Sequence, residues 1–355
     1  MTQTISPTEI LTQRNKFPVV DARSPSEFTL GHIPGAINVP LFDDEERKQV
    51  GIEYKQNGRE QAVRLGLTFV GPRMADYVDR AKEIAPDRNL LLYCARGGMR
   101  SRSLAWLWSL AGMRVQTLQN GYKGFRRWVL QTVAAPRRYQ ILAAKTGSGK
   151  TWILHELARR GEQVVDLEGL ANHRGSVFGS LGLSDQPTQQ QFENDLAVAL
   201  ASMDHHRSIW LESESRRIGT IQLPQSFYER MIASKGVYLD VPLEQRVTNI
   251  LLEYGNFPSD LLAERIGYIA KRLGGQRANE CRQLVESGDL AQASRLLMEY
   301  YDRTYQRSFH DQFEGLADWR FVQVEVGTSI VDIAKRLGQL SASGSSQPAE
   351  SLASS

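Results

Sequence analysis

Residues 89–101 read NLLLYCARGGMRS, a stretch that predicts a buried strand, a tight loop and the start of a helix. The run LLLY is typical of a strand that is covered on both faces. Gly97 and Gly98 interrupt the apolar run, and residues 101–110 then have the spacing of a helix. Because strands that alternate with helices along a chain form parallel sheets, this stretch predicts an α/β fold.

The same alternation continues on both sides of this stretch and occurs in two series. Strands of the first series are predicted at 17–20, 89–93 and 115–118, and strands of the second at 140–143, 163–166, 208–211 and 237–240. A helix is predicted at 151–160, and residues 243–298 are mainly helical. We therefore predict a first domain at 1–133, a linker at 134–138, a second α/β domain with added helices at 139–337, and a disordered Ser/Ala-rich tail at 338–355.

The charges are distributed unevenly along the 355 residues. The chain has 43 Lys and Arg against 40 Asp and Glu, a formal net charge of +3. Between Arg88 and His155, however, there are twelve basic residues and no acidic one, which leaves 31 basic against 40 acidic residues elsewhere. Such a block indicates either an anionic partner or a solvated basic face, and charge alone does not choose between them.

Cysteine usage and hydropathy indicate the compartment. Cys94 and Cys281 lie far apart and belong to no Cys or His spacing that is typical of zinc. The first fifteen residues contain no apolar signal segment, and no run of about 18 apolar residues predicts a membrane span. We therefore expect a cytoplasmic protein without a membrane partner.

The loop after the apolar strand has the composition of a nucleophilic site. Its amides, at the start of a helix, are expected to hold an anion, and Arg96 and Arg100 add positive charge around Cys94. Gly97 and Gly98 let the backbone turn tightly around the sulfur. This combination predicts a cysteine nucleophile inside an anion cradle, and the alternative is a buried, inert cysteine.

A second stretch makes a resemblance specific. Residues 21–36 read DARSPSEFTLGHIPGA and, together with the Cys94 loop, resemble a rhodanese domain. The resemblance implies that Cys94 carries sulfur or selenium, and that Arg96, Gly97, Gly98, Arg100 and Ser101 form its loop. The C-x5-R spacing from Cys94 to Arg100 also resembles the loop of cysteine phosphatases. Because the surrounding window contains no carboxylate to protonate a leaving group, we rank a phosphatase below chalcogen transfer.

The second series opens on another anion-binding loop. Residues 145–151 read KTGSGKT between a predicted strand and a predicted helix, the context that a P-loop needs. The amides of Thr146, Gly147, Ser148 and Gly149 are expected to cradle phosphates, Lys150 to add a charge, and Thr151 to ligate magnesium. Ala144 stands where the full P-loop pattern has its first glycine, which weakens the case for ordinary nucleotide binding.

Three more stretches extend the resemblance to the whole chain. These are DLEGLANHRGSVFG at 166–179, LESESRRIG at 211–219 and KRLG at 271–274. With the two loops, they make residues 15 to 335 similar to the family of bacterial tRNA 2-selenouridine synthases, in which a rhodanese-like domain precedes a P-loop NTPase-like α/β domain with added helices. The family geranylates the sulfur of wobble 2-thiouridine in tRNA with geranyl diphosphate, and then replaces the geranylthio group with selenium from selenophosphate.

The resemblance implies roles for particular residues. Cys94 would handle the selenium donor, and residues 146–151 would bind a prenyl diphosphate rather than ATP. It implies no permanently bound cofactor, with Mg²⁺ as one further expectation, and the partners are tRNA and an enzyme that supplies selenophosphate. Substrate contacts or supporting roles are expected for Glu168, His173, Arg174, Glu212, Glu214 and Arg216. The tRNA phosphates are expected at Lys123, Arg126, Arg127, Arg137 and Arg138. The aromatic candidates for a geranyl pocket are Phe178, Phe192, Trp210 and Tyr238, although aromatic residues at such spacings are more often part of a core.

Three other functions compete with this interpretation. The first is a rhodanese sulfurtransferase fused to an ATP-binding P-loop kinase or NTPase. The second is a cysteine phosphatase of rhodanese fold. The third is an RNA-binding module without catalysis.

Overall fold

The computed structural model describes residues 3–313, 319–342 and 350–352, and for 306–313, 341–342 and 350–352 it describes the backbone alone. The chain forms two compact units. Unit 1 consists of Met1–Val133 with Thr188–Ala201, and unit 2 consists of Ala134–Pro187 with Ser202–Ser355.

Unit 1 is built around a parallel sheet. Its elements are β1 (Gln3–Ile5), α1 (Pro7–Gln13), β2 (Val19–Asp21), α2 (Pro25–Leu30), β3 (Ile37–Asn38), α3 (Asp44–Val70), a 3₁₀ turn (Gly71–Arg73), α4 (Met74–Ile84), β4 (Asn89–Tyr93), α5 (Met99–Leu110), β5 (Arg114–Leu118), α6 (Gly121–Ala134) and, from later in the chain, α9 (Gln189–Ala201). Among the described residues the strand order is β1-β5-β4-β2-β3, and all four pairings are parallel.

The apolar run of the opening stretch forms the centre of this sheet. Leu90 and Leu92 on β4 pack in a core with Val20, Leu104 and Trp108. β4 is buried because helices cover both faces of the sheet, as its continuous apolar sequence predicts. The carboxyl ends of β2 and β4 therefore lie side by side, and they bring the residues that follow Asp21 close to those that follow Tyr93.

Unit 2 contains a second parallel sheet and a helical layer. Its elements are β6 (Tyr139–Ala144), α7 (Lys150–Arg159), β7 (Gln163–Val164), α8 (Leu167–Ala171), β8 (Ile209–Glu212), β9 (Arg217–Ile218), β10 (Ile221–Gln222), α10 (Gln225–Ile232), β11 (Lys235–Asp240), α11 (Leu243–Tyr254), α12 (Ser259–Leu273), α13 (Gly275–Glu286), α14 (Leu290–Phe313), β12 (Trp319–Val324), α15 (Ile330–Ala342) and β13 (Glu350–Leu352). The described strands are ordered β13-β12-β11-β6-β8-β7, while β9 and β10 form a separate antiparallel pair.

Two apolar clusters stabilise unit 2. One lies along the sheet and includes Leu142, Ile153, Trp210 and Leu239. The other joins α12, α13 and α14. No helix among the described residues is both long and apolar enough to cross a membrane.

The predicted elements are observed close to their expected bounds. Three features nevertheless differ from the predictions. The strand predicted at 163–166 ends at Val164, because the Asp166 side chain instead caps α8 by accepting a hydrogen bond from the Gly169 amide. Residues 188–201, expected in the second domain, belong to unit 1. α15 continues to Ala342, so the tail expected at 338–355 begins inside a helix; β13 also falls in that range, and residues 343–349 and 353–355 lie outside the described residues.

Candidate active sites in the two units

Cys94 lies directly after β4 at the base of a loop that leads into α5. Its sulfur is buried, with an exposed fraction of 2%, and lies 3.1 Å from the Ser101 hydroxyl. The start of α6 holds the loop from below, since the Tyr122 amide donates to the Cys94 carbonyl at 2.8 Å and the Lys123 amide donates to Ala95 at 2.9 Å. The loop is thus held at its base by α6, and the Ser101 hydroxyl contacts the sulfur.

Gly121 supports this loop because it has no side chain. A β-carbon at Gly121 would lie 2.2 Å from the Cys94 carbonyl oxygen and 2.5 Å from the Gly97 amide nitrogen. Its φ of +56° is also in the left-handed region that favours glycine. The sequence alone gave no signal for this residue, because its partner loop lies more than twenty residues earlier.

The Asp21–Arg23 pair is structural rather than part of the loop. Arg23 donates two hydrogen bonds to Asp21 Oδ2, at 2.9 Å from Nε and 2.6 Å from Nη2, and a third to the Gly31 carbonyl. Its guanidinium lies over the Tyr122 ring, 3.7 Å from the centroid. Both charged side chains are buried, so the pair joins the end of β2 to the following turn.

The two arginines of the Cys94 loop have different surroundings. Arg100 pairs with Glu27, its Nη1 lying 2.5 Å from Oε2. Arg96 is exposed and forms no ion pair or side-chain hydrogen bond within the described part of the chain. Burial alone would raise the pKa of Glu27, but the hydrogen bond and charge of Arg100 outweigh it and leave that pKa below its ordinary value. Glu27 is the carboxylate that the phosphatase hypothesis lacked, but it stays ionised and is therefore a poor proton donor.

The second anion loop joins β6 to α7 and has the turns that its glycines predict. Gly147 has a φ of +80° and Gly149 a φ of +75°. The Ser148 hydroxyl is buried without a hydrogen-bond partner among the described residues, and Lys150 Nζ donates to the Ala144 carbonyl at 3.1 Å. Ala144 itself ends β6 with a negative φ and a buried side chain, so the backbone does not require the expected glycine there.

Helix α11 holds this loop in place from the other side. Arg246 donates to the Thr146 carbonyl at 3.1 Å and pairs with Asp302 through both Nη atoms. Asn249 donates to the Gly147 carbonyl at 2.8 Å. Sequence reasoning missed both residues, because they follow the loop by about a hundred positions and belong to no motif.

Three glutamates form a carboxyl cluster beside the loop. Glu168 accepts a hydrogen bond from the Thr151 hydroxyl at 3.1 Å, and its amide donates to Glu212 at 2.8 Å. Glu168 also shares a hydrogen bond with Glu214, and neither forms an ion pair within the described residues. Burial and the charge of Glu168 raise the pKa of Glu214 to about 8, and burial raises those of Glu168 and Glu212 as well. Glu214 therefore holds a proton at neutral pH and shares it with Glu168.

A cavity of about 370 Å³ extends from the loop into the helical layer. One end is polar and is formed by residues 146–151 with Glu168 and Glu214. The opposite walls are mainly apolar and come from α11 to α14, including Ile250, Leu262, Ile266, Leu290, Ala293, Leu297 and Met298. An anion cradle and an apolar chamber are thus continuous within unit 2.

The structure brings only some of the predicted residues to this cavity. Arg174 and Phe178 line it, and Arg174 pairs with Glu253 at 2.8 Å. His173 lies just before them and accepts a hydrogen bond from the Gly175 amide; burial and the charge of Arg265 lower its pKa. Arg216 is exposed and does not line the cavity.

Of the aromatic pocket candidates, Phe178 alone lines the cavity. Phe192 and Trp210 are fully buried elsewhere, and Tyr238 packs against Phe321 with ring centroids 5.5 Å apart. The lining also includes Trp152, Tyr254, Tyr301 and Tyr305, and the rest of its apolar side chains are mainly aliphatic residues of the helical region, to which the sequence assigned no function.

The predicted phosphate-contacting residues also differ in their surroundings. Arg126 bonds Glu193 and Asn194, which favours a structural role, and Arg137 donates to the Met203 carbonyl. Lys123 and Arg127 are exposed on α6, the helix that supports the Cys94 loop, and Arg138 is also exposed. Among the described residues, no three His, Cys, Asp or Glu side chains are grouped to hold a metal ion.

Two families match this architecture. Residues 6–127 match the rhodanese-like domain, and residues 137–318 match the family described as the tRNA 2-selenouridine synthase AAA domain. A tRNA 2-selenouridine synthase of Shewanella denitrificans is 38% identical over 325 residues, which cover 81% of this chain and 87% of the relative. Proteins of the same name from Shewanella loihica and Hydrogenovibrio crunogenus are each 39% identical, covering 81% and 73% of this chain and 86% and 77% of the relatives.

Proposed function

The chain belongs to the family of tRNA 2-selenouridine synthases, which makes it a tRNA-modifying enzyme, and we propose that it forms 2-selenouridine in two steps. In the first, the sulfur of wobble 2-thiouridine is geranylated from geranyl diphosphate in the unit 2 cavity. In the second, the selenium of selenophosphate displaces the geranylthio group, which leaves as geranylthiol, and water cleaves the P–Se bond to release phosphate, with Cys94 handling the selenium donor. Geranyl diphosphate and selenophosphate are co-substrates, and no permanently bound cofactor is required. An enzyme that makes selenophosphate is the expected partner.

The observation that carries the proposal is the continuity of the anion cradle with the apolar chamber. A prenyl diphosphate has the same division, with a charged head and a hydrocarbon tail. The loop amides, Lys150 and the unpartnered Ser148 hydroxyl are suited to the diphosphate, and the aliphatic walls to the tail. The aliphatic side chains of the chamber are complementary to a hydrocarbon tail, which favours the prenyl donor over the kinase alternative.

The first step has simple chemical requirements. The thiouridine sulfur attacks C1 of the geranyl group, the C1–O bond breaks, diphosphate leaves with the bonding electrons, and the base loses its N3 proton. Lys150 and the loop amides stabilise the negative charge of the leaving diphosphate. The Glu168–Glu214 pair shares one proton, and its other carboxylate provides a proton acceptor within the same cavity. Thr151 and Glu168 offer the hard oxygen ligands that Mg²⁺ prefers, and the ion would neutralise part of the diphosphate charge.

The second step is assigned to the Cys94 loop. Selenophosphate is an anion, and the loop amides together with the exposed Arg96 are suited to bind it. Cys94 provides the thiol, and Ser101 lies in hydrogen-bonding contact with it. Exposed Lys123 and Arg127, on the helix that supports the loop, are proposed tRNA phosphate contacts.

The proposal is tested by assaying the two steps separately in Cys94→Ser. The variant is incubated with 2-thiouridine tRNA and geranyl diphosphate, then with selenophosphate, and the wobble nucleoside is identified by mass spectrometry after each addition. We expect geranylation to continue and selenation to fall at least a hundredfold, because the hydroxyl is a far weaker nucleophile than the thiol.

Cys281→Ala is the matched control, since Cys281 is the other buried cysteine and lies in α13, away from any loop. It should retain both steps. Full selenation by Cys94→Ser would contradict the role of Cys94. Tight ATP binding and hydrolysis by the wild type, without geranyl diphosphate binding, would favour the kinase alternative instead.

A further inference from the structure

Helix α12 has two faces of opposite character. Leu262 and Ile266 point inward and line the cavity of unit 2. On the other side, Tyr268, Lys271 and Arg272 are exposed. The same helix therefore connects the apolar chamber with a polar outer surface, and KRLG at 271–274, which had no function in the sequence analysis, lies on that surface.

Four cations lie on or against this surface without a counter-charge. Within the part of the chain that the structure describes, no ion pair or hydrogen bond is formed by Arg265, Lys271, Arg272 or Arg282. The Nε–H groups of Arg265 and Arg282 are buried and have no acceptor there. By contrast, the nearby Arg277 pairs with Glu299 and Arg295 with Glu244. Glu264 lies on the same surface but forms no ion pair with these cations within the described residues, so the four cations leave the region with an excess of positive charge. We call these four cations, with Tyr268, the α12 cationic face.

The side chains on this face are arranged across two helices. Arg282 of α13 lies against Gly267 of α12, so that a β-carbon there would be 2.4 Å from Arg282 Nη2. Arg265 lies 5.5 Å from the centroid of the Tyr268 ring. Tyr268 is 63% exposed, and its hydroxyl donates to Glu264, which leaves the ring open to solvent. An exposed ring among unpaired cations suits stacked bases and phosphates together.

The face also adjoins the loop that borders the cavity. The charge of Arg265 acts on His173, and residues 174–176, which follow it, line the cavity. A ligand on the α12 cationic face would therefore lie beside the chamber where the proposed geranyl transfer takes place.

We propose that the α12 cationic face binds the phosphodiester backbone of the tRNA substrate, with Tyr268 stacking on an unpaired base. The inference deepens the proposed function, because it requires tRNA to be the substrate. The face adds to Lys123 and Arg127 of unit 1 and gives unit 2 its own contact with the RNA.

The test uses the full-length Lys271→Gln/Arg272→Gln variant, whose replaced side chains are exposed. Binding of 2-thiouridine tRNA is measured by fluorescence anisotropy between about 50 and 200 mM salt. We expect an affinity loss of about tenfold or more at the lower salt. The slope of log K against log salt should become shallower by about 1.4 to 1.8, because two phosphate contacts no longer release counterions.

Arg80→Gln/Lys82→Gln is the matched control, since it removes the same formal charge from exposed residues of α4 in unit 1. It should bind tRNA almost as the wild type does. Tyr268→Ala should lose affinity with an unchanged salt slope, because stacking releases no counterions. Geranyl diphosphate binding, measured by calorimetry, should be equal in all of these proteins.

The outcomes separate the two proposals. If the wild type fails to bind tRNA, the proposed function fails. If the wild type binds and the α12 variant matches its control, the α12 cationic face is not an RNA surface; this is also the result expected if the face docks an acidic protein instead.

Discussion

At the scale of single residues, Gly121 shows how a residue without a side chain can determine the conformation of a loop, here the loop of Cys94. Its α-carbon lies where any side chain would collide with the Cys94 carbonyl and the Gly97 amide. Cys94, Lys150 and Thr151 could be recognised from sequence because each belongs to a local motif. Gly121, Arg246 and Asn249 could not, because they act on loops that are distant in sequence, and only folding brings them together.

Gly121→Ala is expected to destabilise unit 1 and abolish selenation. The methyl group would meet backbone atoms at 2.2 and 2.5 Å, which cannot move aside as a flexible side chain can, and φ is +56°. Such backbone strain typically costs about 2–4 kcal/mol. Gly98→Ala in the same loop is the control, because its β-carbon would meet no atom within 4 Å. Chemical denaturation and the selenation assay should separate the two variants, and similar values for both would contradict the packing argument.

Glu214 makes the stability of unit 2 depend on pH. Its pKa is raised to about 8 by burial and by Glu168, whereas the ordinary value is 4.5. Between those values the folded chain holds a proton that the unfolded chain has released, so stability falls as pH rises from about 4.5 to 8. Glu214→Gln should reduce this loss by about 1–2 kcal/mol, since the shared proton and solvent relaxation moderate the full effect.

The measurement is the unfolding midpoint at pH 6 and at pH 8.5. Glu214→Gln should gain a few degrees over the wild type at pH 8.5 and much less at pH 6. Glu286→Gln, at an exposed position of α13, serves as the control and should follow the wild type at both values. An equal pH dependence in Glu214→Gln and the wild type would show that the carboxyl pair is not protonated at neutral pH.

At the scale of elements, the bounds of strands were predicted best where a single apolar run forms a single strand. The strand at 89–93 is observed with the predicted bounds, and that at 140–143 is one residue longer at each end, because continuous burial leaves little choice of conformation. The chamber was not predicted. Its walls consist mainly of aliphatic residues of α11 to α14. Aliphatic residues have the same sequence pattern whether they face a core or a cavity, so the sequence could not mark them as a pocket and suggested Phe192, Trp210 and Tyr238 among its candidates instead.

Ala293 on α14 provides a test of the chamber. The residue lines the cavity and is 2% exposed, so Ala293→Leu would fill part of the apolar volume. Geranyl diphosphate affinity should fall at least tenfold, about 1.4 kcal/mol, whereas inorganic diphosphate should bind as in the wild type because the cradle is untouched. Calorimetry with both ligands provides the measurement.

Ala291→Leu adds the same three carbons two residues earlier on α14, at a half-buried position that does not line the cavity. It should bind both ligands normally, provided that both variants melt close to the wild type. Equal losses for inorganic and geranyl diphosphate in Ala293→Leu would mean that the prenyl tail does not occupy the chamber.

At the scale of the whole molecule, the charge pattern depends on one continuous stretch of sequence, whereas the division into units depends on segments that are far apart in sequence. The net charge of +3 conceals an acid-free window that contains both anion loops. That clustering is local in sequence and could therefore be recognised in advance. The division into units is not local, because α9 lies within the sequence of the second domain and packs in the first.

Polar contacts join helix α9 to the first 133 residues of unit 1. Asn194 is fully buried, donates to the His32 carbonyl and the Tyr122 hydroxyl, and accepts from Arg126. Thr188 donates to the Leu30 carbonyl at 2.6 Å. Without α9, these unit 1 groups would lose their partners, and each buried polar group left unpaired costs about 1–3 kcal/mol.

Residues 1–133 alone should therefore be much less stable than the same residues joined to 188–201 by a long flexible linker. We expect the joined protein to melt at least about 5 °C higher, as followed by circular dichroism. Asn194→Ala in the joined protein should remove most of this gain, because it leaves the His32 carbonyl unpaired and removes the bonds from Asn194 to Arg126 and to the Tyr122 hydroxyl, whereas the exposed Gln189→Ala should keep it. Equal melting of the two proteins would mean that 1–133 is a complete domain, as the sequence pattern predicted, and that α9 only covers a surface that is already stable.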